Sequence, residues 1–278
     1  MNMTKNTLPR SNGRQRDQLR PVSIQIGVMK FAEGSALIEV GDTRVLTSAT
    51  VERRVPRFLE DSGKGWLTAE YAMLPRATHT RSQRDVSRGR PSGRTSEIQR
   101  LIGRSLRAIV DLRAMPGLTV TVDCDVLQAD GGTRTASICC GYVAVVQALA
   151  QALAAGDLER WPVLDSLAAV SVGLVDGTPS LDLDYAEDST AEVDLNLVAT
   201  GSGRVVEIQG TGEERSFSRE ELDALLDLAF SGLRMLAEKQ REVLEPILEQ
   251  VASVEKRRRR RPASPKNEGD LWGDPGDL

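Results

Sequence analysis

A chain of 278 residues that is 40% hydrophobic and 27% charged can bury a core, as one large domain or two small ones. One histidine, His79, leaves no multi-histidine metal site and argues against a Ser-His-Asp triad. Three cysteines, Cys124 and the adjacent Cys139 and Cys140, form neither a disulfide framework nor a zinc pattern and read as small core residues. No apolar run approaches membrane-spanning length and the N-terminus has no apolar signal region, so the expected location is the cytoplasm, with no membrane partner. The net charge of −4 hides an asymmetry: between Arg76 and Arg107 nine arginines face only Asp85 and Glu97, while acidic residues collect in the second half. An arginine block beside a carboxylate block suits a polyanion grip next to a metal-dependent site.

Residues 1–16 read as a flexible basic arm. Val22, Ile24 and Ile26 alternate as a first strand, and Ala36–Val40 and Val45–Val51 form a hairpin through Gly41-Asp42-Thr43. Trp66 to Leu74 is a further strand ending at Pro75. Arg76 to Gly93, rich in arginine and poor in apolar pattern, is expected to be a loop. A helix follows from about Thr95 to Leu112, with Arg94 just before it. Leu118, Val120, Val122, Cys124 and Val126 alternate with polar residues as a half-buried strand, which runs into Gly131-Gly132-Thr133-Arg134 at the start of a second helix. That helix keeps Ile138, Tyr142, Val145, Val146, Leu149 and Leu153 near one face. Free backbone N–H groups, two glycines and an arginine at a helix start favour an anion, although the same residues also make a plain tight turn. Arg94 and Arg134, at two helix N-termini, can converge on one phosphate.

Four strands are expected in the second half, at 168–175, 180–185, 193–200 and 204–209, before a capping box at Ser218–Glu221 opens a long helix. Strands, helices, strands and helix in that order define an α+β fold with mixed sheets. Asp182, Asp184, Glu187, Asp188, Glu192 and Asp194 lie close together. On strands Asp182 and Asp184 share a face, as do Glu192 and Asp194, with Asp188 in the turn between. Crowded carboxylates are either an acidic solvated hairpin or a hard-oxygen site for Mg²⁺ that shares phosphate oxygens. From Lys256 six basic residues precede a polar tail, so residues 251–278 are expected to be disordered, with the basic run free to touch nucleic acid.

The blocks Glu33–Ser35, Gly65–Tyr71, Met73–Arg81, Gly93–Thr95, Glu97–Arg104, Asp123–Ser137 and Glu207–Thr211 run in order along the chain. With these blocks, over about Asp17 to Leu248, the chain resembles the ribonuclease PH family of bacterial phosphate-dependent 3′-to-5′ exoribonucleases. The resemblance implies a catalytic domain over 17–250 with two pseudo-repeated βαβα-type units like the second domain of ribosomal protein S5. It also implies a homohexamer built as a trimer of dimers. The implied reaction is attack of inorganic phosphate on the last phosphodiester bond, trimming the 3′ extensions of tRNA precursors, and ribosomal RNA ends, with release of nucleoside diphosphates. The same nucleotidyltransferase chemistry run in reverse adds nucleotides. Carried over by position, Arg94, Gly132, Thr133 and Arg134 bind phosphate and Asp188 and Asp194 are catalytic. The same two aspartates hold Mg²⁺ or Mn²⁺, with Asp182 as an accessory ligand, and Arg76, Arg81 and Arg84 grip tRNA.

Overall fold

The computed structural model describes residues 10, 13–84, 87 and 89–260. The first half builds a five-stranded sheet from β1 (Val22–Ile26), β2 (Gly34–Val40), β3 (Thr43–Glu52), β4 (Trp66–Met73) and β5 (Thr119–Gln128). Its order is β1-β2-β3-β5-β4, antiparallel except for the parallel pair β4 and β5. Parallel pairing of β4 with β5 needs a crossover, and α1 (Gly93–Arg107) supplies it. On β5 the apolar residues Val120, Val122, Cys124 and Val126 are buried, as the period of two requires.

The strand β5 feeds α2 (Thr133–Ala155), the central helix of the molecule. A single buried face was expected; instead 18 of its 23 residues are buried, because α2 is enclosed by β2 and β3, by the strand Leu167–Val175 and by the long helix Arg219–Arg260. Close approach depends on small residues: a Cβ at Gly34 would lie 1.9 Å from the Ala144 carbonyl oxygen. Full burial of Ile138, Leu149 and Leu153 contributes about 2 kcal/mol per side chain. By length and composition alone α2 could cross a membrane, contrary to the sequence reading, yet here it is the core helix.

The second half forms an antiparallel sheet of order β7-β6-β8-β9 from β6 (Leu167–Val175), β7 (Thr178–Leu181), β8 (Val193–Thr200) and β9 (Val205–Gly212). A one-turn helix, α3 (Tyr185–Asp188), joins β7 to β8. The long helix α4 (Arg219–Arg260) closes the chain, opened by the expected capping box: Glu221 N–H donates to Ser218 Oγ and Ser218 N–H to Glu221 Oε2.

Three expectations are corrected. The strand expected over 180–185 stops at Leu181, because Asp182 takes a left-handed conformation (φ 55°) and Asp184 caps α3. Asp182 and Asp184 therefore do not share a strand face. Of the tail expected to be disordered from 251, residues 251–260 continue α4: Val251 is buried, and Arg258 donates to the carbonyl of Leu153 in the last turn of α2 and to those of Leu158 and Glu159 beyond it. Lys and Arg are good helix formers, and the carbonyls at and just beyond the end of α2 give Arg258 its partners. The rest of that segment, 261–278, lies outside the described residues. The basic arm is docked where it is described, with Arg10 and Arg14 buried against carboxylates.

Candidate active site

Register on the second sheet assembles one polar surface. Ser171, Asn196 and Gln209 lie side by side across β6, β8 and β9, and Gly173, Asp194 and Thr211 form the next row. Side chains two apart on a strand share a face, so Asp194 and Asn196 point the same way; Asn196 Nδ2 donates to Asp194 Oδ2 at 3.2 Å. A cavity of about 1060 Å³ stands over this surface. Its walls include the loop Gly131-Gly132-Thr133-Arg134, Arg94 and Glu97 of α1, and Asp188 of α3.

Arg94 is the second residue of α1, whose N-cap Ser92 accepts from Thr95 N–H at 3.1 Å. Gly132 caps α2 at φ 65°, and a Cβ on Gly131 (φ 74°) would come within 2.5 Å of the Leu183 carbonyl, so both turns require glycine. Thr133 is fixed from behind by the Tyr71 hydroxyl, which donates to its Oγ1 at 3.0 Å. Arg134 is held across the cavity: Nη1 donates to Gln209 Oε1 at 2.9 Å and stands 3.9 Å from Glu97. Further along α1, Arg104 makes a 2.7 Å ion pair with Glu207 of β9, outside the cavity lining. Two helix N-termini and two guanidiniums thus converge on one volume, the arrangement that suits a phosphate group.

Opposite them stand two carboxylates. Asp188 ends α3, whose capping box is complete: Glu187 N–H donates to Asp184 Oδ1 and Asp184 N–H to Glu187 Oε2. Burial raises the Asp188 pKa against the opposing pull of Arg134 and Arg94. Asp194 is raised further, to about 6, first by burial and then by the charge of Asp188, and its Oδ1 is buried without a hydrogen-bond partner. An orphaned buried carboxylate oxygen beside a second carboxylate fits a hard cation.

Of the expected site residues, Arg94, Gly132, Thr133, Arg134, Asp188 and Asp194 all line this one cavity. Asp182 does not: its carboxylate accepts from Arg20 Nε at 3.0 Å, Nη2 at 2.7 Å and backbone N–H at 2.8 Å, which removes it from the accessory metal role. Arg76, Arg81 and Arg84 are exposed outside the cavity and make no ion pair among the described residues. Gln209, Asn196 and Tyr71 were missed. Gln209 lies within a quoted family block, but only the β8–β9 register shows which way it faces.

The fold and the site define a nuclease of the RNA 3′ end: residues 18–150 match the model of the 3′ exoribonuclease family, domain 1, and residues 165–232 match domain 2 of the same family. The chain belongs to this 3′ exoribonuclease family. It is 58% identical over 244 residues to ribonuclease PH of Moorella thermoacetica, covering 88% of this chain and 98% of that protein. Its backbone is similar to the Archaeoglobus fulgidus exosome with RNA bound to the active site. That match has a TM-score of 0.70 and 27% identity, over 83% of this chain and 92% of the other. Rice Rrp46 is similar in fold, with a TM-score of 0.69 and 23% identity, over 84% of this chain and 100% of the other. The expected α+β fold and the expected activity, phosphorolytic 3′-end trimming of RNA, are those of the family.

Proposed function

We propose that Arg94, Arg134 and the backbone N–H groups at the start of α2 seat inorganic phosphate in line with the last phosphodiester of an RNA 3′ end. A phosphate oxygen then bonds to the scissile phosphorus, the bond to the 3′ oxygen of the preceding nucleotide breaks, and a nucleoside diphosphate leaves. Such transfer depends on alignment and on neutralising the equatorial oxygens, which is the work of the two guanidiniums. Asp188 and Asp194 would hold Mg²⁺ or Mn²⁺; among the described residues no group of three His, Cys, Asp or Glu side chains is placed to ligate a metal, and a hard cation on two carboxylates would draw its remaining ligands from phosphate oxygens and water. When bound, that ion supplies charge stabilisation at the transferring phosphoryl group. Gln209 and Glu97 hold Arg134 at the correct reach, and Thr133 is oriented by Tyr71.

The observation that carries this reading is the pairing of two helix-start arginines with two half-buried carboxylates across one cavity. The substrate is the 3′ extension of tRNA precursors, and ribosomal RNA ends, with Arg76, Arg81 and Arg84 gripping the tRNA body. The working assembly is a cytoplasmic homohexamer, a trimer of dimers; Val28, Met29 and Phe31, exposed together after β1, supply apolar surface for contact between copies. One assay tests the chemistry. RNA is incubated with Mg²⁺, with and without inorganic phosphate, and the products are separated by chromatography. Nucleoside diphosphates formed only with phosphate are expected; monophosphates formed without it would make the protein a hydrolase.

A further inference from the structure

Behind the cavity, three arginines from the N-terminal segment converge on the stretch that delivers Asp188. Arg10 donates through Nε and Nη2 to both oxygens of Glu187, and through Nη1 and Nη2 to the carbonyls of Leu181 and Asp182. Arg14 donates to the Asp182 carbonyl at 3.0 Å and to Glu187 Oε2 at 3.2 Å. Arg20 takes the Asp182 carboxylate in its fork and also donates to the Asp130 carbonyl, at the entrance to the phosphate loop. The backbone of Arg16 adds a strand-like bond, its carbonyl accepting from Leu181 N–H at 2.8 Å. Arg10, Arg14, Arg20, Asp182 and Glu187 are all buried.

The polar atoms of Asp182 are correspondingly engaged. Its N–H donates to the Ser171 carbonyl at 2.7 Å, its carbonyl accepts from Arg10 and Arg14, and its carboxylate accepts from Arg20. A non-glycine residue at φ 55° persists where its surroundings hold it, and here three guanidiniums do. Next to it, the backbone at 183–184 packs directly on Gly131 of the phosphate loop, and Tyr185 N–H donates to Asp130 Oδ1 at 3.2 Å. The N-terminal segment therefore grips one piece of backbone that carries Asp188 at one end and abuts the anion cradle along its length.

We propose that Arg10, Arg14 and Arg20 are positioning residues. They strap the 182–188 segment down, fix the carboxylate of Asp188 relative to Asp194, and keep that pair in register with the phosphate loop. None of the three lines the cavity, so they act through Glu187 and Asp182 and not on substrate. The inference rests on the reading of Asp188 as an active-site carboxylate. It assigns the N-terminal arm, expected from the sequence to be loose, a part in setting the rate.

Arg10 is the arginine to test, because it lies outside every strand and helix, and Arg10→Ala removes only its bonds to Glu187 and to the carbonyls of Leu181 and Asp182. Phosphorolysis of a short unstructured RNA is followed in Arg10→Ala, Arg10→Lys, Glu187→Gln and the Arg10→Ala/Glu187→Gln pair, with Asp188→Asn beside them. A displaced carboxylate should lower kcat by about 10- to 100-fold. It should also raise the half-activating Mg²⁺ concentration, while KM for phosphate stays within about twofold. Arg10→Lys, which keeps the charge without the fork, should recover part of kcat, and the double variant should lose no more than the worse single variant. The inference is overturned by unchanged kcat and Mg²⁺ dependence in Arg10→Ala, by additive losses in the double variant, or by a rise in phosphate KM at constant kcat. An inert Asp188→Asn beside an unimpaired Arg10→Ala refutes the strap alone. A fully active Asp188→Asn refutes the reading of the site and the strap with it.

Discussion

Asp194 lies close enough to Asp188 that its neighbour's charge adds to burial in holding the Asp194 carboxyl at about pKa 6. The raised value has a sign that can be worked through. The folded protein binds this proton more tightly than the unfolded chain does, so stability falls as pH rises from the ordinary carboxylate range to about 6. Above pH 6 the full cost of ionising this half-buried carboxylate is present. Asp194→Asn should therefore raise the unfolding free energy of metal-free protein at pH 8 by up to about 3 kcal/mol, and its thermal midpoint with it, and both by much less at pH 4. Turnover should nearly vanish in Asp194→Asn and in Asp188→Asn while RNA binding persists. Mg²⁺ should stabilise the wild-type protein and not Asp194→Asn. Paired melting and activity curves across pH check this, and a destabilised Asp194→Asn at pH 8 would contradict it.

Arg94 and Arg134 face those carboxylates from two helix starts. Replacing either with alanine removes a charge-assisted contact to a seated anion, costing on the order of 2–4 kcal/mol, roughly a 30- to 1,000-fold loss in kcat/KM for phosphate. Arg134→Ala should be the worse of the two, since Gln209 and Glu97 then lose their partner as well. Phosphate titrations at saturating RNA measure both. An unchanged phosphate dependence in both variants would rule out the cradle.

The parts of the site that could be read in the sequence are those written in local pattern. The strand into Gly131-Gly132 and the helix after it are visible because the period changes within a few residues, and Asp188 and Asp194 because they crowd one short connection. Asp182 was misplaced because Leu181-Asp182-Leu183-Asp184 alternates as a strand does. What ends the strand is a left-handed residue whose arginine partner, Arg20, is 162 positions away. No periodicity reports a partner at that distance. For the same reason Arg10 and Arg14 read as solvated charges, although the fold buries them against Glu187.

The end of α4 gives a separate stability test. Arg258 caps carbonyls at and beyond the C-terminus of α2, so a chain ending at residue 255 loses those bonds and the last turn of α4. Arg258→Ala should cost about 2 kcal/mol, since hydrogen bonds from a charged donor are worth roughly 1.5–3. Ending the chain after Arg260 should cost nothing measurable. Chemical denaturation of the three forms compares them, and equal midpoints would show that the contacts of Arg258 contribute no stability.

Arg76, Arg81 and Arg84 stand exposed in the arginine-rich segment between β4 and α1, outside the cavity. If they grip the body of tRNA, they supply salt-sensitive backbone contacts remote from the chemistry. Replacing all three with alanine removes up to three phosphate contacts, which should weaken tRNA binding and reduce the slope of log affinity against log salt by up to about 3. Phosphorolysis of a short unstructured oligonucleotide, which does not extend to that surface, should change far less. The measured quantity is the ratio of kcat/KM on a tRNA precursor to that on the oligonucleotide, taken on one preparation of each protein. A ratio that falls at least tenfold fits the grip. Equal losses on both substrates would move these arginines to the active site or to a contact between subunits, and the salt slope would then stay at its wild-type value.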